Sequence, residues 1–377
     1  MRLALSPDEI ELARSFRQML EKECPPALVR ELQSTGETKP DRLWRILGDI
    51  GVFGFALPTE FGGEGAGLFE LGLFYEQAGR VLWPTLVYST VAFSLALARL
   101  GTDEQRMRWL TPIAAGDLTA ALCLWDASDN GDFSPALTAQ PRGDSWMLSG
   151  VLDFVDNADS ADIVMVAAST SDGGPSRTIC ALIDPGADGW NTARHKTFSR
   201  DNQCQVVVED VIVEAREIID PSDAGIDPRD LIWVSNAVTG LQCMEMVGGA
   251  LAVIERTVDY VKGRYQFDRP IASFQAAQHH VANMHIAIDG ARLTSYQAVW
   301  LIGRGELAQR EIAIAKLKCN EAYKFTTLTA HQLHGGMGYL RETDLHLWSQ
   351  RAKATELLGG AWDVQLAHLE EALRLSG

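Results

Sequence analysis

The chain has 377 residues and carries 33 Lys and Arg against 50 Asp and Glu, so its formal net charge is -17. This balance argues against a nucleic-acid partner, because phosphate binding needs clustered basic side chains. At this length two or three packed domains are expected. The six cysteines are scattered without a C-x-x-C pair, so we expect reduced thiols and no metal site.

The first residues, MRLALSPDEIELARSF, contain no long apolar stretch of the kind found in a secretory signal. The longest apolar runs are broken by charges before they reach the length of a membrane span. We therefore expect a cytoplasmic protein without membrane insertion.

Residues 1–119 are predicted to form an N-terminal α-helical domain. Ser6 can cap a first helix, Pro7 suits its first position, and Glu9 can complete a capping box. A second helix is predicted from Asp41 to Ile50. A glycine-rich loop follows, and after it the segments LGLFYEQAGRVL and STVAFSLALARLG have the composition of buried helices.

Residues 120–220 change in character and predict a small antiparallel β domain. Segments such as SWMLSGVLDFV and QCQVVVEDVIV are rich in Val, Ile and Trp and are separated by Gly, Pro, Asp and Ser.

Residues 225–377 return to a helical period and predict a four-helix bundle. Its apolar stripe begins at Leu241 and ends at Val261, and the last two helices are expected at 309–333 and 345–373. The predicted fold class is therefore α+β multidomain: helices, an antiparallel β domain, and a C-terminal bundle.

Four segments resemble those of the acyl-CoA dehydrogenase family at matching places along the chain. They are LGDIGVFGFALPTEFGGEG, LARLGTDEQRMRWLTPIAAG, YVKGRYQFDRPI and HQLHGGMGYL. The resemblance covers nearly the whole chain, and it implies the acyl-CoA dehydrogenase fold. It also implies FAD as cofactor, bound between two subunits, and an acyl-CoA thioester that is oxidised to the 2-enoyl-CoA.

The resemblance assigns contacts to the adenosine diphosphate part of FAD. A guanidinium is a permanent, forked donor that suits a pyrophosphate, and glycine lets the backbone approach phosphate closely. The matching residues are Arg264, Gln266, Phe267, Gln332, Gly335 and Gly336. Asp268 stands where the family usually has glycine, and a carboxylate there is unfavourable unless it points away.

The matching segments for the flavin ring are degraded. The family's T-E-P-G-x-G-S-D stretch corresponds to Leu124–Asp132, where only fragments remain. Phe154 can still stack on a ring, as a weaker assignment. Asp156 places an anion where the family has a hydroxyl, which would oppose negative charge on a reduced flavin.

Neither usual position of the family's catalytic base holds a carboxylate. Alignment on Arg351-Ala352-Lys353 places Gly359 at the late Glu position. The alternative position, counted back from Arg264, is Val238. Glu245 and Glu356 are weak substitutes nearby, and for each the favoured interpretation is a solvated or paired helix residue. No metal site is expected, since His279, His280 and His285 have poor ligand spacing.

This pattern resembles the non-catalytic subunits of bacterial heteromeric acyl-CoA dehydrogenases of the steroid side-chain type. It predicts a catalytic acyl-CoA dehydrogenase subunit as partner in a heterotetramer, with an electron-transfer flavoprotein as a further possible partner. Two alternatives stay open. One is a self-sufficient homotetramer whose base is Glu245 or Glu356, and the other is a structural paralogue that does not use flavin.

Overall fold

A computed structural model describes residues 4–124, 134–170, 176–220 and 224–375. The chain packs as two compact units. The helical unit contains the residues up to Arg30, Leu68–Trp83, and Ser235 onwards; the sheet unit contains Glu31–Gly67 and Pro84–Val234. The helices of the N-terminal segment are thus divided between both units, and the predicted boundaries at 119 and 225 stay a prediction.

The N-terminal segment is helical, as its sequence predicts. Its helices are α1 Pro7–Glu23, α2 Pro26–Thr35, α3 Asp41–Asp49, α4 Leu68–Val81, α5 Thr85–Leu100 and α6 Asp103–Ala114. The capping box of α1 is confirmed: the Ser6 hydroxyl accepts from the Glu9 amide at 3.2 Å, and the Glu9 carboxylate accepts from the Ser6 amide. The glycine-rich loop forms two short 3₁₀ turns, Val52–Gly54 and Thr59–Phe61.

The sheet unit is built on one eight-stranded sheet with the order β6-β7-β3-β2-β4-β5-β8 and β1 beside β4. The strands are β1 Ala120–Cys123, β2 Leu137–Arg142, β3 Ser145–Asp156, β4 Ile163–Thr170, β5 Thr178–Ile183, β6 Trp190–Arg194, β7 Gln203–Glu214 and β8 Ile218–Ile219. The predicted β domain is confirmed, but its sheet is mixed rather than purely antiparallel, since β4 pairs in parallel with both β1 and β2. β4 is buried along nearly its whole length, as expected of a strand covered on both faces.

The C-terminal segment forms helices and a short hairpin, which belong to the helical unit from Ser235 onwards. These elements are α7 Pro228–Gly263, β9 Tyr265–Gln266, β10 Arg269–Pro270, α8 Gln275–Gly303, α9 Gln309–His334, α10 Leu345–Leu357 and α11 Trp362–Leu375. The single last helix predicted over 345–373 is wrong, because the chain turns between α10 and α11. Gly359 and Gly360 have φ of 69° and 95°, which no right-handed helix accommodates.

The expectation that every apolar run is too short for a membrane span also needs a correction. α7 is long and apolar enough to cross a membrane, but 89% of its most apolar window is buried inside the protein. That burial is the character of a core helix. Close packing within the helical unit explains its composition: a Cβ atom at Gly248 of α7 would lie 1.7 Å from the Glu76 carbonyl oxygen of α4.

Candidate functional site

The hairpin that follows α7 carries three of the predicted cofactor residues, and all three side chains are exposed. Arg264 directly precedes β9, Gln266 ends it, and Phe267 opens the two-residue turn. Phe267 and Asp268 both have left-handed backbone, with φ of 53° and 61°. Hairpin turns of this kind favour Asn or Asp followed by Gly, so a Phe-Asp pair is costly. Phe267 is 87% exposed.

The second group of predicted cofactor residues lies where α9 ends. Gln332 is exposed on the last turn, and Gly335 follows with φ 58° and ψ -139°, a region open to glycine but not to other residues. A Cβ atom added to Gly335 or to Gly336 would meet nothing within 4 Å. The backbone here is therefore an open surface that a ligand can approach closely.

A contact between Tyr260 and His334 joins these two groups inside the helical unit. Their rings stack with centroids 4.2 Å apart, and the Tyr260 hydroxyl donates to the His334 carbonyl oxygen at 3.3 Å. Tyr260 lies four residues before Arg264, and His334 directly precedes Gly335. Burial lowers the pKa of His334, so its ring is neutral at pH 7, and its Nδ1–H donates to the Ala330 carbonyl at 2.8 Å.

These residues fit the adenosine diphosphate part of FAD. Within the described ranges, no carboxylate forms an ion pair with the exposed Arg264 guanidinium, which leaves it available to an anion. The open glycine backbone beyond α9 offers amide donors without steric hindrance. Asp268 lies on the same hairpin and is likewise exposed, so its charge is solvated. The residue roles themselves remain predictions.

Phe154, the weaker cofactor assignment, lies in the sheet unit at an irregularity of β3. The register of β3 against β7 shifts between Leu152 and Val155, and Phe154 takes φ 54° there, which leaves its side chain 51% exposed. The ring stacks on His195 with centroids 4.6 Å apart. A ligand ring can therefore stack only on the opposite face.

Sequence reasoning missed the pair that holds this stack in place. His195 Nε2 lies 2.9 Å from an Asp153 carboxylate oxygen, and Gln205 Nε2 donates to the same carboxylate at 3.2 Å. The Asp156 carboxylate accepts from Gln203 Nε2 at 3.0 Å. Of the segment predicted to line the ring, Leu124–Asp132, residues 125–132 fall outside the described residues.

Gly359, at the predicted position of the family's base, lies in the turn between α10 and α11. A Cβ atom there would stand 2.8 Å from Oε1 of Gln242 and 3.2 Å from the hydroxyl oxygen of Thr239. The space next to Gly359 is thus filled by polar side chains of α7. Val238, the alternative base position, is a half-buried residue of the same helix and has no ionisable group.

The two substitute carboxylates are both paired. Glu245 is buried in α7 and accepts from the Arg351 guanidinium at 3.0 Å, while Arg351 also donates to the Trp83 carbonyl oxygen at 3.2 Å. The Arg351 guanidinium therefore already occupies this carboxylate. This geometry disfavours Glu245 as a base.

Glu356, on the last turn of α10, accepts from Lys324 at 2.6 Å and from Lys353 at 3.0 Å. Burial acts to raise the pKa of Glu356, but the hydrogen bonds and charges of the two lysines outweigh it and the pKa is lowered. A weakly basic carboxylate held by two ammonium groups is a poor acceptor for a carbon-bound proton.

Comparison with known proteins identifies the family. Residues 6–117 match the model of the acyl-CoA dehydrogenase N-terminal domain, and residues 239–374 match that of the C-terminal domain. The bovine mitochondrial short-chain specific acyl-CoA dehydrogenase is 30% identical over 328 residues, which cover 85% of this chain and 79% of that protein.

Two solved structures are similar along nearly the whole chain. The first is described as the Tcur3481-Tcur3483 steroid ACAD; it is 29% identical, with a TM-score of 0.86 and 98% of each chain covered. The second is the ChsE4-ChsE5 complex from Mycobacterium tuberculosis, which is 27% identical, with a TM-score of 0.88 and 99% of each chain covered.

The fold and the two family matches define a flavoprotein oxidoreductase that acts on CH–CH bonds. The chain belongs to the acyl-CoA dehydrogenase family. Members of this family bind FAD, which agrees with the predicted cofactor.

Proposed function

We propose that this chain is the subunit of a heteromeric acyl-CoA dehydrogenase that binds the adenosine diphosphate part of FAD for a catalytic partner. The observation that carries the proposal is Gly359, which places no carboxylate at the position of the family's base and whose surroundings are filled by Gln242 and Thr239. Loss of a positioned general base typically costs about 10² to 10⁴ in rate. A chain of this kind needs a partner that supplies the base.

The nucleotide side of the chain supports the same division of labour. Arg264, with no carboxylate paired to it among the described residues, would bind the pyrophosphate, and the Gly335–Gly336 backbone would donate to it. FAD, when bound, supplies the hydride acceptor of the dehydrogenation. The chain's own contribution is to bind and orient the cofactor, while the partner holds the flavin ring and the thioester.

The substrate class and assembly follow from the similar structures as proposals. One of them is described as a steroid ACAD, and both are described as pairs of proteins. We therefore propose a bulky, steroid-like acyl-CoA as substrate and an α2β2 heterotetramer as the assembly. A cytoplasmic location and electron transfer to an electron-transfer flavoprotein complete the proposal.

Co-expression with a dehydrogenase subunit from a neighbouring gene tests this function. We expect the complex to be yellow and active on bulky acyl-CoA thioesters, and the chain alone to be poor in flavin. Arg264→Ala in the complex should lower flavin content and turnover together. Arg310→Ala, which removes an exposed arginine paired with its neighbour Glu311, serves as the matched control.

Two outcomes would contradict the proposal. An active yellow homo-oligomer of this chain alone would favour the self-sufficient enzyme. A complex whose flavin content does not depend on Arg264 would favour a structural paralogue. In the first case Glu245→Gln and Glu356→Gln then identify the substitute base.

A further inference from the structure

Lys316 is a fully buried cation in the helical unit. It lies on α9 with 0% of its surface exposed. Its Nζ donates to Asn320 Oδ1 at 2.9 Å and to the Thr355 carbonyl oxygen, and Met246 Sδ lies 3.8 Å away. Within the described part of the chain no carboxylate forms an ion pair with it. A buried ammonium with only neutral acceptors carries a large desolvation penalty, so its position needs an explanation.

The contact with Thr355 satisfies the end of α10. The last four carbonyl groups of a helix have no partner inside the helix. In α10 the Ala354 carbonyl accepts from the Leu358 amide at 3.0 Å, and the Leu357 carbonyl accepts from the Gly360 amide at 3.2 Å. The Thr355 carbonyl, which lies between these two in the sequence, accepts from the Lys316 ammonium. A cation at this end also interacts favourably with the helix dipole.

The aliphatic part of the Lys316 side chain lies beside the turn that carries Gly359. A Cβ atom at Gly359 would stand 3.5 Å from Cε of Lys316. On the far side of the turn, Gln365 Nε2 of α11 donates to the Gly359 carbonyl at 2.6 Å. The turn is therefore held from α9 on one side and from α11 on the other.

We propose that Lys316 is a positioning residue, whose ammonium holds the end of α10 and thereby fixes the Gly359–Gly360 turn at the family's base position. We call the contact between the Lys316 ammonium and the end of α10 the clamp. It concerns this chain's own fold and is independent of which subunit performs the chemistry. It fixes the path of the turn although the turn carries no base.

The titratable groups around Lys316 are the thiol of Cys243 on α7, the thiol of Cys319 on α9 and the carboxylate of Glu356 on α10. Burial lowers the pKa of Lys316 to about 8, and these groups counteract that effect. Deprotonation removes the charge from the helix end while Lys316 stays buried, so the hold on the turn weakens above about pH 8. Global unfolding, which hydrates the ammonium, has the opposite pH dependence.

Hydrogen exchange of the full-length chain tests the clamp. In Lys316→Met the protection of the Leu358 and Gly360 amides should fall by about tenfold or more, as expected for loss of a hydrogen bond from a charged group. Protection in the rest of α7 and α9 should stay unchanged. Lys353→Met removes a half-exposed lysine of α10 and is the control. Unchanged protection at the turn, or a uniform loss across the helices, would overturn the proposal.

The pH profile separates a clamp from a merely structural side chain. After correction for intrinsic exchange, wild-type protection at the turn should fall above about pH 8, and Lys316→Met should show no such fall. Cys319→Ser should still show the fall in protection above about pH 8, since the proposal assigns that fall to Lys316 and not to the thiol. If it loses the response, the proposal fails.

Asn320→Asp provides a second variant should Lys316→Met fail to fold. Asn320 Nδ2 has no hydrogen-bond partner among the described residues, so the change removes no donor in use. A carboxylate at this position raises the pKa of the ammonium 2.9 Å away, and the loosening of the turn should move to higher pH. An identical pH profile in Asn320→Asp and wild type would contradict the clamp.

Discussion

The phenol ring of Tyr260 stacks on the imidazole of His334 at 4.2 Å between centroids, with an angle of 19° between the rings. The contact fixes the end of α7 against the end of α9, and thus the Arg264 hairpin against the Gly335–Gly336 backbone. A pairwise aromatic contact contributes about 0.5–1.5 kcal/mol beyond its buried area. Tyr260→Ala should therefore weaken FAD binding in the complex by about threefold to tenfold.

Fluorescence titration of the deflavinated complex measures this effect. Tyr260→Phe keeps the stack and loses only the 3.3 Å hydrogen bond to the His334 carbonyl, so it should bind FAD nearly as well as wild type. Equal affinity of Tyr260→Ala and wild type would show that the two groups do not act together.

Gly359→Glu should not restore a working base in this chain. A non-glycine residue at φ 69° costs about 1–2 kcal/mol, and the new side chain would start 2.8 Å from Gln242 Oε1. We expect a lower urea midpoint and no acyl-CoA turnover by the variant alone. Turnover at a rate near that of the catalytic complex would disprove this prediction.

Asp268→Gly should stabilise the hairpin. Asp268 has φ 61° at the second turn position, where glycine carries no steric penalty. The gain should be about 0.5–1 kcal/mol in free energy of unfolding, partly offset by the greater freedom of glycine in the unfolded chain. Asp210, in the sheet unit, also has a left-handed backbone conformation. Asp210→Gly therefore controls for the general effect of replacing such an aspartate by glycine. Only Asp268→Gly should also raise flavin retention.

Glu245→Gln should destabilise the fold strongly rather than abolish chemistry directly. The substitution leaves the Arg351 guanidinium, paired at 3.0 Å, without its buried anion, a change that costs about 3–5 kcal/mol. Denaturant unfolding measures this cost. Glu356→Gln is the comparison: its lysine partners are about half exposed, so the loss should be about 1 kcal/mol or less. A lost turnover with unchanged stability would instead point to a base.

Stability should depend on pH through Lys316. The pKa of Lys316 is about 8 in the folded chain, against an ordinary value of 10.5 that applies to the unfolded chain. Between these two pH values the unfolded chain therefore binds more protons than the folded chain. Stability from this group therefore rises with pH in that window, by about 3 kcal/mol at most. The difference in urea midpoint between wild type and Lys316→Met should change between pH 7.5 and pH 10. A constant difference would contradict the lowered pKa.

Local signals predicted the helices well. Ser6 and Glu9 specify the start of α1, and the Val-rich segments specify strands, because capping and side-chain periodicity act over a few residues. Strand order lies beyond such signals. The parallel pairing of β4 with β1 and β2 depends on long connections that leave no local pattern.

Residues of the candidate cofactor site could be predicted only where they belong to a recognisable sequence motif. Arg264 and Gly335 belong to recognisable segments, and the structure exposes both. Lys316 and the Asp153–His195 pair were missed, because their roles arise from contacts between distant segments. The Gly359-Gly360 pair is a sequence signal for a break between α10 and α11. The helical period on both sides of the pair favours one continuous helix instead, which is why the break was not predicted.

The left-handed turn at Gly359 opposes the introduction of a carboxylate at this position. A change of Gly359 to glutamate meets an unfavourable backbone, the Gln242 amide and the Lys316 side chain at once. Under the proposed function, the chain depends on another polypeptide for the carboxylate, and one substitution at Gly359 does not remove that dependence.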